Sequence, residues 1–189
     1  MLTVYLDFKS PATYLAMKPT LALVDRLGLQ TSWKPFRTVE RDVPKLGKEE
    51  TVGESHRRVR TASQRALAIK YAKHQGIDLK FPEKLGASDL ALGALAAIEG
   101  DPVPFIQSAI DAYWQLHADL DDRQVVQTLI ENTGTQLSAD LSACRELLEA
   151  AQEAAEEAGI VGAPAYVIAE QLFVGREHLP WIEEIASTL

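Results

Sequence analysis

The first 36 residues constrain this chain more than any other stretch. Residues 2–8 (LTVYLDF) are β-branched, aromatic and apolar with partial alternation, the pattern of a short buried strand. Ser10-Pro11 follows at once. Serine is a favoured N-cap and proline is favoured at the first helical position, so a helix should start there. Tyr14, Met17, Leu21 and Val24 recur at helical spacing, and Gly28 is placed to end the helix. Pro19 lies inside it and predicts a kink. Residues 29–36 (LQTSWKPF) read as a second strand, weakened by Pro35. The chain therefore opens β-α-β, and the right-handed crossover rule makes the two strands parallel neighbours.

The far end returns to strands. Residues 165–169 and 171–174 read as an antiparallel hairpin, and a last helix over about 177–189 closes the chain. Between the two ends the pattern is helical: 54–75 with Val59, Ala62, Ala66 and Ile69 on one face, 87–99 with Ser88 as a cap, 104–117, 123–132, and 139–158. Residues 38–53, with Pro44, Gly47 and Gly53, read as the most mobile loop. Removing the middle leaves β-α-β then β-β-α. That order is a thioredoxin-like α/β fold: a four-stranded mixed sheet with helices on both faces. The expected division is a thioredoxin-like domain over 1–38 and 159–189 and a helical insertion subdomain over 39–158.

A chain of 189 residues is long enough to hold a core without disulfide or metal. It has 19 Lys and Arg against 27 Asp and Glu, a net charge of −8, which makes it a poor general binder of nucleic acid or of an anionic membrane. No apolar run approaches the ~20 residues of a membrane span. The N-terminus carries neither a basic segment nor a small-residue cleavage site, so the expected compartment is the cytosol. The single cysteine, Cys144, excludes an internal disulfide, a Cys-x-x-Cys pair and a cysteine-based zinc site. It falls on the apolar face of its helix, where a packed thiol is the expected role.

Three places can carry chemistry. Ser10 sits at a helix N-terminus, where unpaired N–H groups and the dipole stabilise an anion or a thiolate and the hydroxyl can donate one more hydrogen bond. Its ordinary reading is an N-cap. Gly162-Ala163-Pro164 precedes the hairpin, and a cis X-Pro bond there would turn the Ala163 backbone toward open space, where an extended peptide can pair with it. Its ordinary reading is a rigid loop. Gly175-Arg176-Glu177-His178 opens the last helix, where the helix end can hold a carboxylate and Glu177 an amine. Its ordinary reading is solvated charge at a helix start. The cluster His56, Arg57, Arg58 and Arg60 reads as a solvated face, and His117, Asp119, Asp121 and Asp122 as a cap and turn with no metal spacing.

Asp7-Phe8-Lys9-Ser10-Pro11 with Tyr14-Leu15-Ala16, the segment 159–165, and the segment 173–179 together resemble the 2-hydroxychromene-2-carboxylate isomerases, which belong with the kappa-class glutathione transferases in the DsbA-like thioredoxin superfamily. The resemblance implies glutathione as cofactor. Ser10, with Pro11, would take the position at which disulfide oxidoreductases carry their first active-site cysteine and would hydrogen-bond the glutathione sulfur. Ala163, ahead of Pro164, would pair through its backbone with the cysteinyl part. Glu177 would fall on the family's acidic position, which handles the γ-glutamyl end, and Gly175, Arg176 and His178 beside it would also bind the cofactor. The thiolate would add reversibly to a conjugated carbon of a small aromatic substrate, so that a double bond can rotate and re-form.

Departures from the family pattern are Ala163 for a larger aliphatic, Glu177 for Asp and His178 for Arg, which leave the substrate open. Family members are often dimers, so a homodimer is an expectation too. The expected activity is a glutathione-dependent isomerase or transferase. The alternatives are a non-catalytic thioredoxin-like peptide-binding module, or a DsbA-family protein without its redox cysteines.

Overall fold

The computed structural model describes residues 1–38, 51–82 and 86–189. Most of the loop expected over 38–53 lies outside the described residues. Strand β1 (Leu2–Leu6) leads into helix α1 (Pro11–Leu27), and β2 (Thr31–Pro35) follows. Ser10 caps α1 by accepting the Thr13 N–H at 3.2 Å, and Gly28 ends it at φ 59°, a left-handed conformation that glycine adopts without strain. Helix α1 is continuous through Pro19. β1 and β2 pair in parallel from Leu2↔Thr31 to Leu6↔Pro35. Proline ends β2, which is an edge strand, where a missing ladder donor is tolerated.

The remaining elements are α2 (Val52–His74), α3 (Asp89–Ala97), β3 (Ile98–Glu99), α4 (Val103–Leu116), α5 (Arg123–Thr133), β4 (Gln136–Leu137), α6 (Cys144–Glu157), β5 (Ala165–Ile168), β6 (Gln171–Val174), a 3₁₀ turn (Arg176–His178) and α7 (Leu179–Ala186). The four-stranded sheet has the order β2-β1-β5-β6, with β5 antiparallel to β1 and β6 antiparallel to β5. This is the mixed sheet of a thioredoxin-like fold. β5 and β6 are joined through Ala169 and Glu170 at φ 46° and 62°, two central residues with the positive φ of a type I′ hairpin. β3 and β4 form a separate two-stranded ribbon that the sequence did not announce.

Strand alternation divides the core. Val4 pairs with Tyr166, and both are buried on the face where the Tyr166 hydroxyl meets Thr20 Oγ1 of α1 at 2.8 Å. Burial pushes the Tyr166 phenol up to about 12. On the opposite face Ala165 packs with Phe36, Ala155 and Ile160, and Tyr5, Ala163 and Val167 lie against that cluster. Helices thus cover both faces, as a sheet buried on both sides requires.

Contacts divide the chain into two compact units, 1–38 with 80–189 and 39–79. Helices α3 to α6 belong to the unit that carries the sheet, so the stretch 39–158 expected as one insertion is split between the two. Within the second unit α2 opens with a capping box: Thr51 N–H donates to Glu54 Oε2 at 2.8 Å, and Glu54 N–H to Thr51 Oγ1 at 3.3 Å. The face marked by Val59, Ala62, Ala66 and Ile69 on α2 is exposed, and the buried residues of the helix are Ala68 and Ala72.

In the first unit, α3 and α6 approach closely at Gly93. A Cβ built there would lie 2.0 Å from the Cys144 carbonyl oxygen, a backbone atom that cannot swing away. Cys144 is buried beneath it with its thiol pushed up by desolvation, which fits a packing role. Gly93→Ala should therefore force the two helices apart at a cost of about 1–3 kcal/mol. Thermal unfolding should show the midpoint fall by roughly 2–4 °C per kcal/mol.

Candidate functional site

The site is built at the turn between β1 and α1. Phe8 and Lys9 form the turn, and the Ser10 N–H donates to the Asp7 carbonyl at 3.1 Å. The Lys9 N–H donates to Asp7 Oδ1 at 3.2 Å, so the aspartate side chain closes an Asx turn around the same residues. Ser10 is buried and its hydroxyl proton is engaged. It accepts from Thr13 N–H and donates to the Ala163 carbonyl at 3.1 Å. In the first turn of α1, Pro11 has no N–H, Thr13 N–H goes to the Ser10 hydroxyl and Tyr14 N–H to the Ser10 carbonyl. The first turn of a helix presents N–H groups and the positive end of its dipole, and this end of α1 is therefore suited to an anion.

The second wall is the segment 162–164, with a cis Ala163–Pro164 peptide bond. The pairing Tyr5↔Ala165 sets this segment against the end of β1 and so beside Ser10. The third segment is joined to the second: Gly175 N–H donates to the Pro164 carbonyl at 2.9 Å. Gly175 has φ 102°, which only glycine takes readily, and the Glu177 carboxylate occupies the place where its side chain would be. The 3₁₀ turn also touches α1. Ser10, Ala163, Pro164, Gly175 and Glu177 are thus linked in one chain of contacts. His178 points elsewhere, between the rings of Phe173 and Trp181 at 5.7 and 5.8 Å. Arg176 is felt by the Tyr166 phenol, as is Glu177.

Two features near Ser10 were not singled out from sequence. Tyr14, one turn after Ser10, lies flat on Trp114 with centroids 5.5 Å apart, and Phe81 meets the same indole edge-on at 5.7 Å. Trp114 is buried and its Nε1–H donates to the Phe8 carbonyl at 2.9 Å, so α4 braces the Ser10 turn from behind. Partial burial raises the Tyr14 phenol. The aromatic spacing was visible, but its meeting with Phe8 depends on α4 being folded against the turn.

The other feature is Asp7 itself, fully buried. Its Oδ1 accepts from Lys9 N–H and from the Ser88 hydroxyl at 3.2 Å each, and its Oδ2 from Thr38 N–H at 2.9 Å and from the Thr38 hydroxyl. Ser88, expected as the α3 cap, makes no cap bond and spends its hydroxyl here. Next to this carboxylate, Arg37 grips Glu149 at 2.7 and 2.9 Å and Asp89 at 3.2 Å, while its N–H goes to the buried Gln152 at 2.8 Å.

Two surface clefts, of about 590 Å³ between α4 and α5 and about 430 Å³ along the outer edge of β2, are lined by neither Ser10 nor Ala163. Among the described residues no cluster of His, Cys, Asp and Glu could hold a metal, and no helix is long and apolar enough to cross a membrane.

Burial raises the Asp7 carboxyl above the ordinary carboxylate range, more than its hydrogen bonds and Lys9 lower it. Between the unfolded and the raised folded pKa, the folded chain keeps a proton that the unfolded chain has lost. Stability therefore falls as pH rises through that window. Asn does not titrate, so the stability gap between wild type and Asp7→Asn should be widest in acid and narrow as pH rises. Denaturant unfolding at a series of pH values reads this directly, and a gap that widens with pH would contradict it.

The sequence matches the DSBA-like thioredoxin domain family over residues 1–185. It is 26% identical over 187 residues to a 2-hydroxychromene-2-carboxylate isomerase of Sphingobium xenophagum, covering 95% of this chain and 94% of that one. A solved 2-hydroxychromene-2-carboxylate isomerase superposes with a TM-score of 0.71 at 18% identity, covering 99% of this chain and 94% of that one. The cytosolic disulfide reductase DsbM of Pseudomonas aeruginosa, solved with glutathione, superposes with a TM-score of 0.60 at 14% identity, covering 99% and 96%.

Proposed function

This chain belongs to the DsbA-like thioredoxin family, and on that footing we propose that it is a glutathione-dependent isomerase or transferase acting on a small aromatic electrophile. The observation that carries the reading is the hydrogen bond from the Ser10 hydroxyl to the Ala163 carbonyl at a helix N-terminus. Relationship to an isomerase over nearly the whole chain supports enzymatic activity. Dithiol chemistry has no support, because Ser10 stands at the turn and Cys144 is buried at the start of α6.

The donors and acceptors of the site fit glutathione. The Ser10 hydroxyl has one proton and now gives it to the Ala163 carbonyl. Rotating that proton toward an incoming sulfur would supply a charge-assisted bond to the thiolate, the stronger kind. The same rotation frees the Ala163 carbonyl to accept an N–H from the cysteinyl residue. Thr13 N–H keeps the Ser10 oxygen in place throughout, and the N-terminus of α1 with its dipole favours negative charge beside it. The Glu177 carboxylate, held over Gly175, suits the γ-glutamyl amine. When bound, glutathione supplies a nucleophilic sulfur that adds to and leaves a conjugated carbon. Tyr14, stacked on Trp114 one turn along α1, offers an aromatic surface on the same side of the helix for the substrate ring.

Titration calorimetry should detect reduced glutathione binding to the wild-type protein, and the bound thiol should ionise below the pH at which it does in free solution. Ser10→Ala should raise the pKa of the bound thiol, with a loss of roughly 1.5–3 kcal/mol for the charge-assisted bond. Absorbance of the thiolate against pH measures it. No heat of binding, or an unchanged thiol pKa in the variant, removes Ser10 from this role. In the same experiment Glu177→Gln should weaken glutathione binding while leaving the bound thiol's ionisation unchanged, because it touches the other end of the tripeptide.

A further inference from the structure

We infer that Asp7 is a positioning residue for Ser10, gripping the Ser10 turn with one carboxyl oxygen and the residues at 38 and 88 with both. Three geometric facts point there. Oδ1 takes the Lys9 N–H inside the turn that presents Ser10, and the Asp7 carbonyl takes the Ser10 N–H itself. The Asp7 N–H reaches Thr13 Oγ1 at 3.4 Å, and Thr13 N–H in turn holds the Ser10 hydroxyl oxygen. The rest of the carboxyl is anchored on Thr38, in the segment after β2, and on Ser88, before α3. No part of Asp7 is exposed, so its carboxyl oxygens have no solvent water to replace these donors.

A carboxyl whose only task was to fill a core position would not need two N–H donors, one on each oxygen. That arrangement fixes the plane of the side chain, and through Lys9 and Ser10 it fixes the direction of the serine hydroxyl. An amide cannot replace it, because Asn has one acceptor oxygen for two N–H donors and sets its own NH₂ against the other. The inference deepens the proposed glutathione reading and rests on it for the thiol measurement, though not for the backbone measurement.

The variant is Asp7→Asn, with two readouts. In glutathione-free protein, amide exchange at Ser10 and Thr13 should accelerate about tenfold more than at Leu129 and Ile130 of α5, which report global opening. In the glutathione complex, thiolate absorbance should show about tenfold less bound thiolate at a pH below the thiol pKa, a shift that lost stability alone does not produce. Equal acceleration at all four amides, or no change at Ser10, overturns the inference. Should Asp7→Asn not fold, Ser88→Ala removes one donor from Oδ1 and should give the same local pattern in smaller measure; no local change there overturns it as well. If wild-type protein binds no glutathione, the functional reading fails and the exchange comparison alone decides the role of Asp7.

Discussion

The hydrogen bond from the Ser10 hydroxyl to the Ala163 carbonyl joins segments 153 residues apart. It exists because β5 runs antiparallel to β1 in the centre of the sheet, which sets the segment before Ala165 against the turn that ends β1. The hydroxyl also caps α1, so one oxygen serves the helix and the strand loop together. Gly175 extends the connection through the Pro164 carbonyl to Glu177. Three parts of the chain that could each be an ordinary cap, loop or helix start are joined through these contacts.

The candidate site lies where β1 passes into α1 and is braced from behind by buried polar contacts. Trp114 holds the Phe8 carbonyl, and Asp7 holds Lys9, Thr38 and Ser88. A buried polar network stabilises only when its members are satisfied, and every oxygen of Asp7 has donors. Arg37 repeats the pattern beside it with Asp89, Glu149 and Gln152. Residues 37–38 and 88–89 are therefore laced together at two adjacent points.

Local signals carried most of the fold. The Ser10–Pro11 start and Gly28 stop of α1 were legible because capping is chemistry between neighbours. The hairpin was legible from its apolar alternation, although its turn uses Ala169 and Glu170 in place of the residues that usually take positive φ. On α2 the helical period was legible while the buried residues, Ala68 and Ala72, were not, because a period does not choose among faces when Ala is spread around the helix. Ser88 was correctly placed before a helix, yet its hydroxyl goes to Asp7, 81 residues away. Helix α6 begins at Cys144, after turns at 140–143 that the apolar spacing from Leu141 does not reveal.

The sequence alone determined the order of strands and helices at the two ends of the chain, the four-stranded mixed sheet, the three candidate segments and the absence of a second cysteine, since all follow from local patterning and residue counts. The tertiary structure decided which oxygen Ser10 donates to, that Glu177 rests on Gly175 while His178 packs between Phe173 and Trp181, and that Asp7 lies at the centre of the turn. The physical reason is that hydrogen bonds and burial depend on distance in space. A lone aspartate after a strand looks the same in sequence whether water or four protein donors surround it.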